Sequence, residues 1–310
     1  MKTSKVAQPI LSAPNICPVC FAHSHFSFLE NHSQESVRGS KDSSWSLYEC
    51  STCSVQFWIP FRQPERIFYE RPQHETQKDI SNSVKNNQVR LHWNHKQFFK
   101  ENFPVGTLLD VGCDVGDFVV ACKEKGYSVF GVEPDRYSAN MAQQRGVTCF
   151  SGYLREYIDS QKQKNSLQQF DYVTFFEVLE HTTSPAEFLA DVLSLVKDGG
   201  RIVMSVPYKK YTSLVRIADH PPGHYTRWNE QSLNYVLNKA GFKVEHIRIR
   251  PFNLRSLTAS FFASSAFRII GSEYIKNVLA VVLGVVTYLP FLLRSNKHGN
   301  RVVVIASKKN

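Results

Sequence analysis

Three sets of side chains in this 310-residue sequence are spaced for chemistry. The first is sulfur: Cys17-Pro18-Val19-Cys20 and Cys50-Ser51-Thr52-Cys53 form two C-x2-C pairs. That spacing sets four thiolates around a tetrahedral zinc, and a complete thiolate set makes such an ion structural. Two disulfides or a redox pair are the alternatives, although redox chemistry would not need a second copy of the motif. His23, His25 and His32 lie between the pairs in a stretch rich in Ser, His and Asn. They could substitute as ligands, but beside four cysteines they read as solvated loop residues. The second set is Gly112, Gly116 and, twenty-one residues after Gly112, Glu133. Glycines let a backbone approach a ligand, and an acid at that distance can accept hydrogen bonds from both hydroxyls of a ribose. The third set is His181 and His224, bases that are neutral near pH 7, with Glu177 and Tyr225 as orienting neighbours.

The elements that must position these groups are legible around Thr107–Asp135. Leu108, Leu109 and Val111 form the apolar run of a buried parallel strand. A helix is expected over Phe118–Lys125, ended by Gly126 at a natural C′ position. Ser128–Val132 reads as a second strand, closed by Glu133. The dinucleotide fingerprint G-x-G-x-x-G would need glycine where Asp114 and Asp117 stand. Carboxylates there would repel a pyrophosphate, so a nucleoside ligand without phosphates suits the turn better than NAD or FAD.

Further along, a helix is expected over about Arg136–Gln144 and strands over Val147–Phe150 and Tyr172–Phe176. The last of these delivers Glu177, Glu180 and His181 to the crevice side of a sheet. A helix over Phe188–Val196, a strand over Arg201–Val206, a helix within Asn229–Phe242 and a strand over Lys243–Phe252 follow. Before the first core strand, the spacing of Val89, Leu91, Trp93 and Phe98–Phe99 predicts a helix within Asn82–Asn102. Pro207–Trp228 reads as an insertion ending PPGHYTRW, either a solvated loop or a substrate lid.

With Asp110, Gly112 and Gly116 in the order hh(D/E)hGxGxG, and FDYVTFFEVLEH over 170–181, the sequence resembles class I S-adenosylmethionine (SAM) methyltransferases. Asp114 replaces the middle glycine. The Leu47–Pro60 segment resembles the cysteine-containing stretch before many bacterial methyltransferase domains that accompany glycan- and lipid-modifying genes. The resemblance implies an α/β, Rossmann-like class I sheet with a small N-terminal zinc-binding module and an apolar helical insertion before the last strand. It implies SAM contacts at Asp110, Gly112, Cys113, Gly116, Glu133, Pro134 and Glu177, and a methyl-transfer site at His181, His224, Tyr225 and Glu177. The implied division is a zinc-ribbon-like module and linker over 1–78 and the SAM-binding core over 79–254. An apolar, basic insertion over 255–298 and the last strand and tail over 299–310 complete it.

Composition bounds the rest. A hydrophobic content of 42% can bury a full core, no charged-then-apolar leader opens the chain, and seven cysteines suit a reducing cytoplasm. Residues 243–310 hold eleven Lys/Arg against two Asp/Glu, nine of the ten net positive charges. Within them 277–293 is uncharged, roughly 25 Å as a helix against a hydrocarbon layer of about 30 Å. If Arg301–Ser307 rejoins the sheet, spanning is excluded. The stretch is then either core or a peripheral contact with an anionic membrane on the inner face. The expected activity is methyl transfer to a hydroxyl or carbon of a small or lipid-linked acceptor such as a sugar or phenol. No NPPY-like motif points to a base amine, and Cys113, Cys122 and Cys149 are not placed as nucleophiles. The runner-up is an RNA methyltransferase using module and basic tail to hold nucleic acid, the less favoured partner. A non-catalytic SAM-fold adaptor is the third reading.

Overall fold

The computed structural model describes residues 8–34, 41–62, 68, 88–208, 220–251 and 301–309. Two sheets organise them. The larger begins with β4 (Thr107–Val111), which pairs in parallel with β5 (Ser128–Glu133) on one side and β7 (Phe170–Phe176) on the other. β6 (Thr148–Ser151) extends the β5 side in parallel, and β8 (Val196–Pro207) extends the β7 side. β11 (Arg301–Lys308) then lies antiparallel between β8 and β10 (Phe242–Ile249). The order is β10-β11-β8-β7-β4-β5-β6. The chain reverses its direction of travel at β4/β7, and the carboxyl ends of those strands open the crevice where such sheets bind ligands.

The central strands are apolar runs because both of their faces are covered. Helices α1 (Trp93–Phe99), α2 (Asp117–Glu124), α3 (Arg136–Gln144), α4 (Leu154–Gln163), α5 (Pro185–Leu195) and α6 (Glu230–Lys239) supply the cover. Asp135 caps α3, accepting from Ser138 N at 3.2 Å and Ser138 Oγ at 2.7 Å, and Asn229 caps α6 through Ser232. Asp171 ties the lower ends of three strands together. Its Oδ2 accepts from Thr107 N and Oγ1, both at 2.7 Å, and its carboxylate receives Lys197 Nζ at 2.9 Å.

Several elements differ from expectation. The helix expected within Asn82–Asn102 is confined to α1; residues 88–92 are not helical, and 82–87 lie outside the described residues. Asn102, at φ 49°, and Pro104 close it off. Helix α4 has no counterpart in the sequence reading, its residues being mostly polar with Leu154, Tyr157 and Ile158 alone buried. The final strand rejoins the sheet as expected. The apolar stretch 277–293 and the insertion around it lie outside the described residues. Among the described residues no helix is long and apolar enough to cross a membrane.

The smaller sheet holds the cysteine pairs. β1 (Phe26–Ser33), β2 (Ser44–Cys50) and β3 (Gln56–Ile59) form an antiparallel meander, with the second C-x2-C at the β2–β3 turn. The Ser/His/Asn-rich stretch read as loop therefore contains a strand. His32 is not solvated: it stacks on Trp45 and His220, with ring centroids 5.9 and 4.3 Å away. The fourth strand, β9 (Thr226–Arg227), comes from the core chain, pairing Phe57 with Thr226 and Gln56 with Arg227. One continuous apolar cluster runs from Cys17, Cys20 and Phe57 through Trp228 and Leu233 to Met204 and Val304. Lys239 Nζ also donates to the Cys20 carbonyl. The small sheet is thus packed on the core, not strung from it.

Candidate active site

A cleft of about 860 Å³ opens at the carboxyl ends of β4, β5 and β7, lined on one side by Gly112, Asp114, Glu133 and Pro134. Gly112 (φ +76°) and Gly116 (φ +86°) take left-handed conformations in the turn after β4. A Cβ on Gly112 would stand 2.7 Å from Val178 Cγ2, so the turn and the β7 loop meet only because the side chain is missing. Asp114, where the resembling pattern has glycine, adopts φ 50°, a left-handed conformation that aspartate tolerates better than most residues. The turn therefore survives the substitution. Asp114 N–H donates to Glu133 Oε2 at 2.9 Å, and Asp135 N–H donates to Oε1 at 2.9 Å. These bonds aim the Glu133 carboxyl at the cleft and leave each oxygen a second lone pair.

Burial pushes Glu133 up to about 7, against the pull of those two amides. Asp110 is also pushed up to about 7 by burial, opposed by the Thr174 hydroxyl, which donates at 2.6 Å. Asp110 lies under the turn rather than on the cleft wall. Cys113 is likewise turned inward, its sulfur 3.5 Å from that of Cys149 across the space left by Gly131.

The opposite wall is built from the loop after β7. Glu177, at φ 56°, accepts from Ser205 Oγ at 2.9 Å and pairs with Arg301 Nε at 3.1 Å. Ser205 in turn receives Asn94 Nδ2 at 3.1 Å. His181 closes a short 3-10 turn (Leu179–His181), and its Nδ1 lies 2.6 Å from the Gly223 carbonyl oxygen. A carbonyl can only accept, so Nδ1 carries the proton and Nε2 the lone pair. Burial, with the His224 ring adding to it, pushes His181 down to about 4, so the imidazole is neutral at pH 7. His224 packs on it, ring centroids 4.7 Å apart, but does not line the cleft. Tyr225 is buried against Phe61 of the small-sheet region, with ring centroids 5.9 Å apart, and its ring is also outside the cleft lining.

The structure thus brings Gly112, Glu133, Pro134, Glu177 and His181 to one cleft, with Asp110, Cys113, Gly116 and His224 behind them. Sequence reasoning missed the β6–α4 loop around Tyr153, the residues Thr182–Ser184, and Asp135. Asp135 alone carried a signal, as an N-cap directly after the acidic strand end. Seven carboxylates line the cleft among the described residues: Asp114, Glu133, Asp135, Glu156, Glu177, Glu187 and Asp191. They face one guanidinium, Arg155, itself 2.9 Å from Asp191.

The four cysteines Cys17, Cys20, Cys50 and Cys53 are buried and gathered, their sulfurs all within 4.8 Å of one another. Cys17–Cys53 and Cys20–Cys50 are each 3.9 Å apart. A tetrahedron with Zn–S bonds of about 2.3 Å has sulfur edges of about 3.8 Å. The cluster fits a zinc ion and is far too open for disulfides, whose sulfurs lie about 2.05 Å apart.

A family model described as a methyltransferase domain matches residues 84–247, more than half of the chain. The ubiquinone biosynthesis O-methyltransferase of Serratia proteamaculans is 35% identical over 103 residues, 32% of this chain and 42% of that protein. The mitochondrial enzyme of the same name from Schizosaccharomyces pombe is 32% identical over 123 residues, 38% and 44% of the two chains. The chain therefore spans less than half the length of these curated relatives. Among solved structures, a Haemonchus contortus phosphoethanolamine N-methyltransferase superposes with a TM-score of 0.52 at 16% identity, covering 92% of this chain and 68% of its own. A chain from the complex of the Haloferax volcanii Trm112 methyltransferase activator with a methyltransferase gives 0.50 at 14% identity, covering 76% and 96%. At such identities the two structures speak to the fold alone. Sheet order, glycine turn and a family match over more than half its length agree: this chain belongs to the methyltransferase-domain family and has its Rossmann-like class I fold.

Proposed function

We propose that the chain is a SAM-dependent methyltransferase that methylates a hydroxyl of a small acceptor. The observation that carries this reading is a single cleft holding both a buried acid at the end of β5, Glu133, and a neutral histidine, His181. When bound, SAM supplies a methyl group already activated on a sulfonium, so the protein's work is alignment, desolvation and proton removal. In this reading Glu133 would accept from the ribose hydroxyls, while Gly112, Cys113 and Gly116 shape the turn over Asp110 and Pro134 continues the wall. Glu177, fixed by Ser205 and Arg301, borders both halves of the cleft. His181 would take the acceptor's hydroxyl proton on Nε2, while bound SAM would supply the methyl group and its sulfur the leaving group. His224 packs behind His181, and Tyr225 contributes through its backbone.

The name of the curated relatives supports oxygen as the acceptor atom, and a small phenol or sugar suits the cleft. Its ring of carboxylates weighs against the RNA reading, because phosphates would be repelled where the chemistry occurs. The cysteine cluster is proposed to hold one structural zinc. Seven cysteines outside any disulfide, four of them in the proposed zinc site, support a cytoplasmic setting. A lipid-linked acceptor, with peripheral membrane contact through 277–293, remains part of the proposal, and sedimentation with anionic vesicles at low and high salt tests it. The decisive assay for the activity is SAM calorimetry followed by product mass on small phenols and on free and lipid-linked sugars. One added methyl on an acceptor, dependent on His181, is the expected result. SAM binding without transfer to any of them would favour the adaptor reading.

A further inference from the structure

The short strand β9 has two attachments. On one side it completes the small sheet: Trp58 N–H donates to Tyr225 O at 3.0 Å, and Gln56 and Phe57 pair with Arg227 and Thr226. Arg227, 4% exposed, reaches across this sheet to Glu30 Oε1 at 2.7 Å and lies over the Trp58 ring, 5.0 Å from its centroid. On the other side the same segment touches the base. Tyr225 N–H donates to the Glu180 carbonyl at 2.8 Å, and the Gly223 carbonyl receives His181 Nδ1. Five residues, 223–227, therefore join the cysteine module to the imidazole. The β2–β3 hairpin that holds β9 is itself closed by Cys50 and Cys53, with Cys50 N–H donating to Val55 O and Ser54 N–H to Cys50 O.

We propose that Tyr225 and Arg227 are positioning residues: by anchoring β9 in the small sheet they hold the Gly223 carbonyl against His181 and so fix the base in its Nδ1–H tautomer. The role of the module is then to set the acceptor-side base from a distance, while the cofactor side of the cleft stands on the core sheet alone. This rests on His181 being the base of the proposed reaction. Among the described residues, the Glu180 carboxylate, 3.9 Å from Nε2, and the His224 ring also face that imidazole. Gly223 O is the acceptor at Nδ1, so release of the strand removes that restraint on the tautomer.

The test is carbon and nitrogen NMR of histidine-labelled full-length protein, with the His181 signals assigned by their loss in His181→Asn. The parent is expected to show His181 as the Nδ1–H tautomer. Arg227→Met keeps the apolar stem but removes the Glu30 pair, and Glu30→Gln removes the same pair from the exposed side. In both variants His181 is expected to become a mixture of tautomers, while SAM affinity by calorimetry changes less than twofold. A merely structural role would lower the melting temperature and leave the tautomer untouched. An unchanged His181 tautomer in both variants, or a parent in the Nε2–H form, would overturn the proposal. A parent that fails to bind SAM would instead count against the function proposed above, because the NMR measurement needs no SAM.

Discussion

The two walls of the cleft are built in opposite ways. The wall carrying Gly112, Asp114 and Glu133 comes from one βαβ unit, and its contacts run between neighbouring elements of that unit. The wall carrying Glu177 and His181 is assembled from remote parts: Asn94 through Ser205, Arg301 from the last strand, and Gly223 from a segment pinned by the cysteine module. A contiguous wall forms wherever the sheet forms. An assembled wall forms only when several distant contacts are made together, so it can be lost while the first is kept.

Loss of the module's metal should break this comparison most visibly. Metal analysis is expected to find about one zinc per parent chain and none in Cys50→Ser/Cys53→Ser. Structural zinc supplies folding energy directly, so the small sheet should melt early while SAM binding by the core survives. A metal-free parent, or simultaneous loss of SAM binding, would contradict the separation of the two walls.

On the contiguous wall the effect should be local. Glu133→Ala removes charge-assisted hydrogen bonds worth about 1–3 kcal/mol, an expected loss of roughly five- to 150-fold in SAM affinity. Calorimetry on a variant whose melting temperature is preserved reads this directly.

A smaller effect follows from protonation. Glu133 and Asp110 titrate near 7 in the folded protein, each raised by burial above its unfolded value. The native state thus binds the extra protons, and their burial costs increasing stability as pH rises from the unfolded values through about 7. Ligand binding has the opposite sign, because hydroxyl donors and a cationic ligand prefer the ionised carboxylates. SAM affinity should therefore fall by up to about tenfold per pH unit below 7, a slope absent above pH 8. His181, depressed to about 4, contributes stability that is complete above its unfolded value near 6.5 and is lost as pH falls toward 4. It should not produce an acid limb of activity above pH 5.

The smallest effect is expected at Asp114. Its left-handed backbone suits glycine, and the main-chain amide it donates to Glu133 is kept when the side chain is removed. Asp114→Gly should therefore move SAM affinity by no more than about threefold, whereas Asp114→Val, strained at positive φ, should cost about 1 kcal/mol or more.

The same contrast explains what could be read from the sequence. The β4–β5 unit was legible because its apolar runs, turn glycines and terminal acid follow one another within thirty residues. β7 and its EVLEH loop were legible for the same reason. β9 was not, because two residues, Thr and Arg, have no period, and their strand character comes from Gln56 and Phe57 far upstream. β1 was hidden by polar residues such as Ser27, Asn31 and His32 whose partners, Trp45 and Ser46 among them, lie on another strand. Tyr225 looked like a cleft residue because of its neighbour His224. Its ring turns the other way, toward Phe61, because successive residues of the extended chain entering β9 face opposite sides.

The central claim is that the turn after β4 and Glu133 form a SAM site, and titration calorimetry of parent and Gly112→Val with SAM at pH 8 tests it most directly. A Cβ at position 112 would meet Val178 at a left-handed backbone position. The account predicts one SAM per parent chain, and binding weakened beyond about a hundredfold in Gly112→Val while the variant stays folded. Equal affinity in the two proteins, or no binding by the parent, would contradict it.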